Sequence, residues 1–138
     1  MSKSGSDLFA HTAGANRDLV DELVRSGEKC IPDNIVGITR EPNTNQITWL
    51  ETGNNRAGLN HIIDRHGSQF NGIGIANNEI SNFVMEAIHQ GNIVGTQGDK
   101  NPRTVYEFVY EGIKRRVAVT IGSNGFVVGA NLQSMKED

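Results

Sequence analysis

Residues 104–131, TVYEFVYEGIKRRVAVTIGSNGFVVGAN, decide the fold. Three β-branched and aromatic runs, TVYEFVY (104–110), IKRRVAVTI (113–121) and GFVVGAN (125–131), are separated only by Glu111-Gly112 and by GSNG at 122–125. Runs of this length with short turn-forming breaks predict three antiparallel strands in chain order, a β-meander. Side chains alternate along a strand, so Val117, Val119 and Ile121 share one face of the middle strand and Lys114, Arg116, Ala118 and Thr120 the other. Thr104, Tyr106, Phe108 and Tyr110 share a face of the preceding strand, which allows one sheet surface to combine aromatic, hydroxyl and guanidinium groups.

Helical patterns precede the meander. In AGLNHIIDRHGSQF (57–70), Leu59, Ile62, Ile63, His66 and Phe70 line one side of a helix, while His61 and Arg65 are neighbours on its polar side. In NNEISNFVMEAIHQG (77–91), Ile80, Phe83, Val84, Ala87 and Ile88 form an apolar face, with Asn77 or Asn78 as cap and Gly91 as stop. Further upstream, RDLVDELVRSG (17–27) predicts a short amphipathic helix carrying Leu19, Val20, Leu23 and Val24 and ended by Gly27. IVGITR (35–40) and QITWLET (46–52) around EPNTN predict a hairpin, and the small polar residues 1–16 predict a frayed lead-in. Helices followed by contiguous antiparallel strands define an α+β class, with N-terminal helices packed on one face of the sheet and the other face free for a ligand.

Composition narrows the function. A chain of 138 residues, 36% hydrophobic and 21% charged, predicts one soluble domain with one core. Its apolar runs fall far short of the roughly 20 residues a membrane-spanning segment needs. The opening MSKSGSDLFA lacks the apolar core of a secretory signal and reads as the start of a domain fragment. A net charge of −3 gives no global positive field, yet residues 91–131 set Lys100, Arg103, Lys114, Arg115 and Arg116 against Asp99, Glu107 and Glu111. That local excess suits a phosphate substrate; the alternative is that basic strand residues simply discourage aggregation.

The single cysteine, Cys30, excludes an internal disulfide and reads as a spectator beside IPDN rather than a thiol nucleophile. GxGxxG, GxxxxGK[ST] and GxSxG are absent, so no nucleotide cofactor is expected. His61 and His66, five residues apart, diverge on a helix and cannot share a metal ion as an i, i+4 pair does; no metal is expected. His66 reads as a hydrogen-bonded core histidine or an acid/base group, and His61 as a solvated or a catalytic one.

The ordered set GLNHIIDRHGSQF (58–70), GNIVGTQG (91–98), RTVYEF (103–108) and RRVAVTIGSNGFVVGAN (115–131) resembles the C-terminal toxin domains of contact-dependent growth inhibition (CdiA-type) proteins and related polymorphic toxins. It looks like their RNase group, the barnase/EndoU/colicin/RelE (BECR) superfamily. The resemblance runs from about Cys30 to Leu132, and LETGN, HIIDRH and NGFVVGAN in that order are its most specific part. It implies a nuclease toxin domain over 30–138, with 1–29 as lead-in, short helix and end of a translocation segment. The first histidine of the EndoU-branch helix motif falls on His61 and the second position on His66; groups drawn from the C-terminal strands fall on Arg103, Tyr106 and Thr120. The further GxH histidine of EndoU proper has no counterpart between Gly67 and Ile80.

The resemblance implies a metal-independent endoribonuclease, a tRNase, leaving a 2′,3′-cyclic phosphate and a 5′-hydroxyl. His61 or His66 is then the general acid/base, Arg103 and Arg65 stabilise charge, Tyr106 and Thr120 hold the phosphate, and Lys114 and Arg116 bind substrate. It also implies secretion within a large effector, delivery to the target-cell cytoplasm, a cognate immunity protein, and for some such toxins a host factor such as elongation factor Tu. Two other readings stand beside it: a non-enzymatic RNA- or protein-binding module with structural histidines, and a metal-dependent DNase, which the lack of a ligand cluster disfavours.

Overall fold

The structure, a computed structural model, describes residues 10–98 and 102–133. Its elements in chain order are α1 (Arg17–Arg25), β1 (Ile35–Glu41), β2 (Gln46–Glu51), α2 (Leu59–Gly72), α3 (Ile80–Gln90), β3 (Asn92–Gln97), β4 (Arg103–Tyr110), β5 (Ile113–Ile121) and β6 (Val127–Gln133). β1 and β2 form an antiparallel hairpin, and β3-β4-β5-β6 form an antiparallel sheet in that order. The class is α+β. The expected three-strand meander is present as β4 to β6, and the sheet has a fourth strand, β3, at its edge. Five of the six β3 residues are exposed and Gly95 lies within it, so the hydrophobic alternation that marks a strand is missing there.

Register assigns the two sheet faces. Tyr106 stands opposite Val117 and Thr104 opposite Val119, while Val117 stands opposite Leu132. Directly paired residues point the same way, so Tyr106, Phe108 and Tyr110 lie on the Val117/Val119 face, not on the Arg116/Thr120 face. That face meets α2 and α3 in the main core, where the Phe83 ring meets Phe70, Phe108 and Tyr110 edge-on with centroids 5.5, 5.0 and 4.8 Å away. Arg103, Val105, Glu107, Arg116, Ala118, Thr120, Gly129, Asn131 and Gln97 lie on the opposite face.

A second cluster, Leu23, Ile35, Ile38, Ile47 and Trp49, joins α1 to the hairpin. The hairpin joins the sheet where Trp49 bridges Phe126 in parallel and its backbone N–H donates to the Gly125 carbonyl at 3.0 Å. From residue 10 onward the lead-in is packed rather than frayed. His11 is buried, its Nε2 donates to Glu86 Oε1 at 2.8 Å, and its carbonyl accepts from the Ile38 N–H at 2.8 Å. The lead-in's first nine residues lie outside the described residues. Among the described residues no helix is long and apolar enough to cross a membrane.

Candidate active site

The face away from the helices is concave. The Asn131 Nδ2 of β6 donates to Gln97 Oε1 of β3 at 3.3 Å, although two strands stand between them. In a flat sheet those two strands lie about 14 Å apart, more than two carboxamide side chains span, so the sheet curls towards this face. Beneath the closure Val105 and Ala118 are 1% and 0% exposed.

Arg103, the first residue of β4, lies on this face. Its Nε donates to Thr120 Oγ1 at 2.8 Å and one Nη donates to Asn131 Oδ1 at 2.8 Å. Both acceptors are neutral, and among the described residues no carboxylate lies within ion-pair distance of Arg103. A guanidinium has five N–H donors, and these two hydrogen bonds use two of them. An arginine aimed by neutral acceptors keeps its full charge, which suits a phosphate.

α2 brings its histidines to the rim by lying along β6. Ile62 and Phe70 anchor the helix in the core, Gln69 Oε1 accepts from the Leu132 N–H at 3.3 Å, and the Gly58 N–H donates to the Val128 carbonyl at 2.9 Å. His61 therefore stands over Gly129, where an added Cβ would meet its Cδ2 at 3.4 Å and its Nε2 at 3.6 Å. The His61 Nδ1 donates to the Asn55 carbonyl at 3.0 Å. A carbonyl only accepts, so Nδ1 carries the proton and Nε2 of the neutral ring presents a lone pair. Asn55 is held by the loop 53–58, in which Asn54 Oδ1 accepts from the Arg56 and Ala57 N–H groups at 2.8 and 3.3 Å. Gly53 and Gly58 have φ of +66° and +91°, and added Cβ atoms would meet the Ala57 carbonyl at 2.0 Å and the Glu51 carbonyl at 2.8 Å.

His66 is half-buried at the margin of the apolar stripe rather than inside the core. Burial, then the charges of Arg103, Arg65 and His61, push its pKa below the usual 6.5. That dependence shows that α2 and β4 bring these four groups into electrostatic range. No protein-family model and no curated protein matches this chain.

The remaining sequence-derived candidates separate from this centre. Tyr106 is 1% exposed on the core face, its hydroxyl is bonded to Glu41, and burial beside that carboxylate raises its pKa. It is therefore a core residue and no part of the concave face; strand alternation groups residues into faces but cannot match the faces of two strands without the register. Arg116 Nε and Lys114 Nζ lie 2.8 and 3.9 Å from Glu107 carboxylate oxygens, so a common acid offsets both charges. Arg116 lies four residues along β5 from Thr120, about 13 Å by strand rise. Arg65 is exposed near His66, and Lys100 with Asp99 lies outside the described residues. Sequence reasoning missed Asn131, Gln97 and the Asn55 carbonyl. Asn131 is visible only in hindsight, as the residue two after Gly129 on the strand face that pairs with Thr120.

Proposed function

We propose that this chain is an antibacterial toxin domain acting as a metal-independent endoribonuclease, with tRNA as its target. The observation that carries this reading is Arg103, unopposed by any described carboxylate and aimed by Thr120 and Asn131, together with a His61 over Gly129 whose Nδ1 donates to the Asn55 carbonyl and leaves Nε2 as a proton acceptor. A phosphodiester seated on Arg103 places its developing charge against the guanidinium and the Thr120 hydroxyl, which accepts from Arg103 and keeps its own proton to donate. His61 Nε2 takes the proton of the ribose 2′-hydroxyl, the 2′-oxygen attacks phosphorus, and the P–O5′ bond breaks. The 5′-oxygen leaves with a proton from His66, giving a 2′,3′-cyclic phosphate and a 5′-hydroxyl.

Burial first, and then the charges of Arg103 and Arg65, hold the proton off His66; a bound phosphate anion offsets those two charges and so raises His66's proton affinity. The proposed setting is release from a large secreted effector into a target cell, where a cognate immunity protein covers the concave face with acidic groups. Expression of the chain in bacteria is expected to arrest growth and fragment tRNA, with His61→Ala lowering cleavage about 10²- to 10⁴-fold. Undiminished cleavage and growth arrest by both His61→Ala and His66→Ala would contradict the mechanism.

A further inference from the structure

The mechanism above uses Arg103 but leaves open what keeps its charge available. Asn131 is 6% exposed and every polar atom of its amide is committed. Its Nδ2 donates to the Leu132 carbonyl at 3.1 Å and to Gln97 Oε1 at 3.3 Å. The first partner can only accept, so the amide has one orientation and Oδ1 faces the guanidinium. An aspartate at this position is nearly the same size and offers the same acceptor, yet it would place a carboxylate 2.8 Å from the arginine. The carboxamide thus supplies direction without neutralisation.

We propose that Asn131 is the positioning residue of the site: its neutral amide, braced by Gln97 from the opposite edge of the sheet, aims Arg103 at an RNA phosphodiester without itself offsetting the arginine charge. This rests on the ribonuclease reading. Asn131→Asp sets a carboxylate against Arg103 and also puts an oxygen in place of the Nδ2 donor, facing the Leu132 carbonyl and Gln97 Oε1. Its charge effect is therefore read at His66, and the loss of the brace alone is read in Gln97→Ala.

The test compares wild type, Asn131→Asp, Asn131→Ala and Gln97→Ala for RNA cleavage in EDTA, and for the His66 imidazole titration followed by NMR without RNA. Losing a hydrogen bond to a charged group costs Asn131→Ala about tenfold in cleavage, and Asn131→Asp is expected to fall lower still. In Asn131→Asp the new carboxylate offsets Arg103, so the His66 midpoint rises towards 6.5, while Asn131→Ala retains the arginine charge and a depressed midpoint. Gln97→Ala, at a half-exposed edge position that tolerates change, leaves the amide less restrained and is expected to lower cleavage with the fold intact. An Asn131→Asp protein that cleaves better than Asn131→Ala, with His66 unmoved, overturns the proposal. So does full activity of Gln97→Ala, which holds even if the Asn131 variants fail to fold. If no protein in the series cleaves RNA, the ribonuclease reading fails and the role of Asn131 toward a phosphodiester fails with it; a His66 that still rises in Asn131→Asp then leaves standing only that Asn131 faces Arg103.

Discussion

At the scale of single residues the site works by what is withheld from it. Lys114 and Arg116 share a carboxylate, whereas among the described residues Arg103 has only neutral partners, and this distinguishes three cations that one sheet face carries in common. The cationic surroundings and burial of His66 carry a pH signature. Its folded pKa lies below the unfolded value of about 6.5, so the native state binds fewer protons than the unfolded chain just below that pH. Native stability therefore falls as pH drops through 6.5 towards the folded pKa, and His66→Gln removes that part of the fall. Arg103→Gln is expected to raise the His66 midpoint towards 6.5 in an NMR titration; an unchanged midpoint would show that the arginine charge does not reach the imidazole.

At the scale of elements, helices and meander were legible because their periodicities are long and regular, and because Gly27 and Gly91 follow α1 and α3 where the stops were expected. What was not legible depends on partners far away in sequence. β3 is a strand by virtue of pairing with β4 and carries little hydrophobic pattern of its own. Tyr106 sits among a set of aromatic residues whose face is fixed only by opposing Val117. His61 was legible as a polar-side helix residue, but its tautomer comes from a backbone carbonyl in the preceding loop, which side-chain spacing does not reveal. That loop also bears a prediction. Gly58→Ala forces a left-handed position on a Cβ that meets the Glu51 carbonyl at 2.8 Å, so it is expected to lower stability by about 1–3 kcal/mol and to weaken RNA cleavage by loosening the Asn55 carbonyl from His61. Thermal unfolding and a cleavage assay check both, and a variant as stable and as active as wild type would contradict the loop's role.

At the scale of the molecule, two cores meet at Trp49, and residues before 30 belong to the packing of the second. Leu23 is 2% exposed, and His11 ties the chain to α3 and β1. A chain starting at Cys30 loses both, and removal of the Leu23 side chain alone is worth about 2–5 kcal/mol, so this truncation is expected to lower the melting temperature by many degrees or to prevent folding. Equal melting of the truncated and full chains would show that α1 is dispensable. The same architecture divides the sheet: the helices pack against one face lined with aromatic side chains, and the curled opposite face holds Arg103, with His61 standing over Gly129 of β6. The measurement that tests this account most directly is incubation of the purified chain with total bacterial RNA in EDTA, with end-group analysis of the products, beside Arg103→Gln and His61→Ala. The account predicts discrete fragments ending in 2′,3′-cyclic phosphate and beginning in 5′-hydroxyl, lost in both variants. Intact RNA even after addition of cell lysate, or the same fragments from either variant, would contradict it.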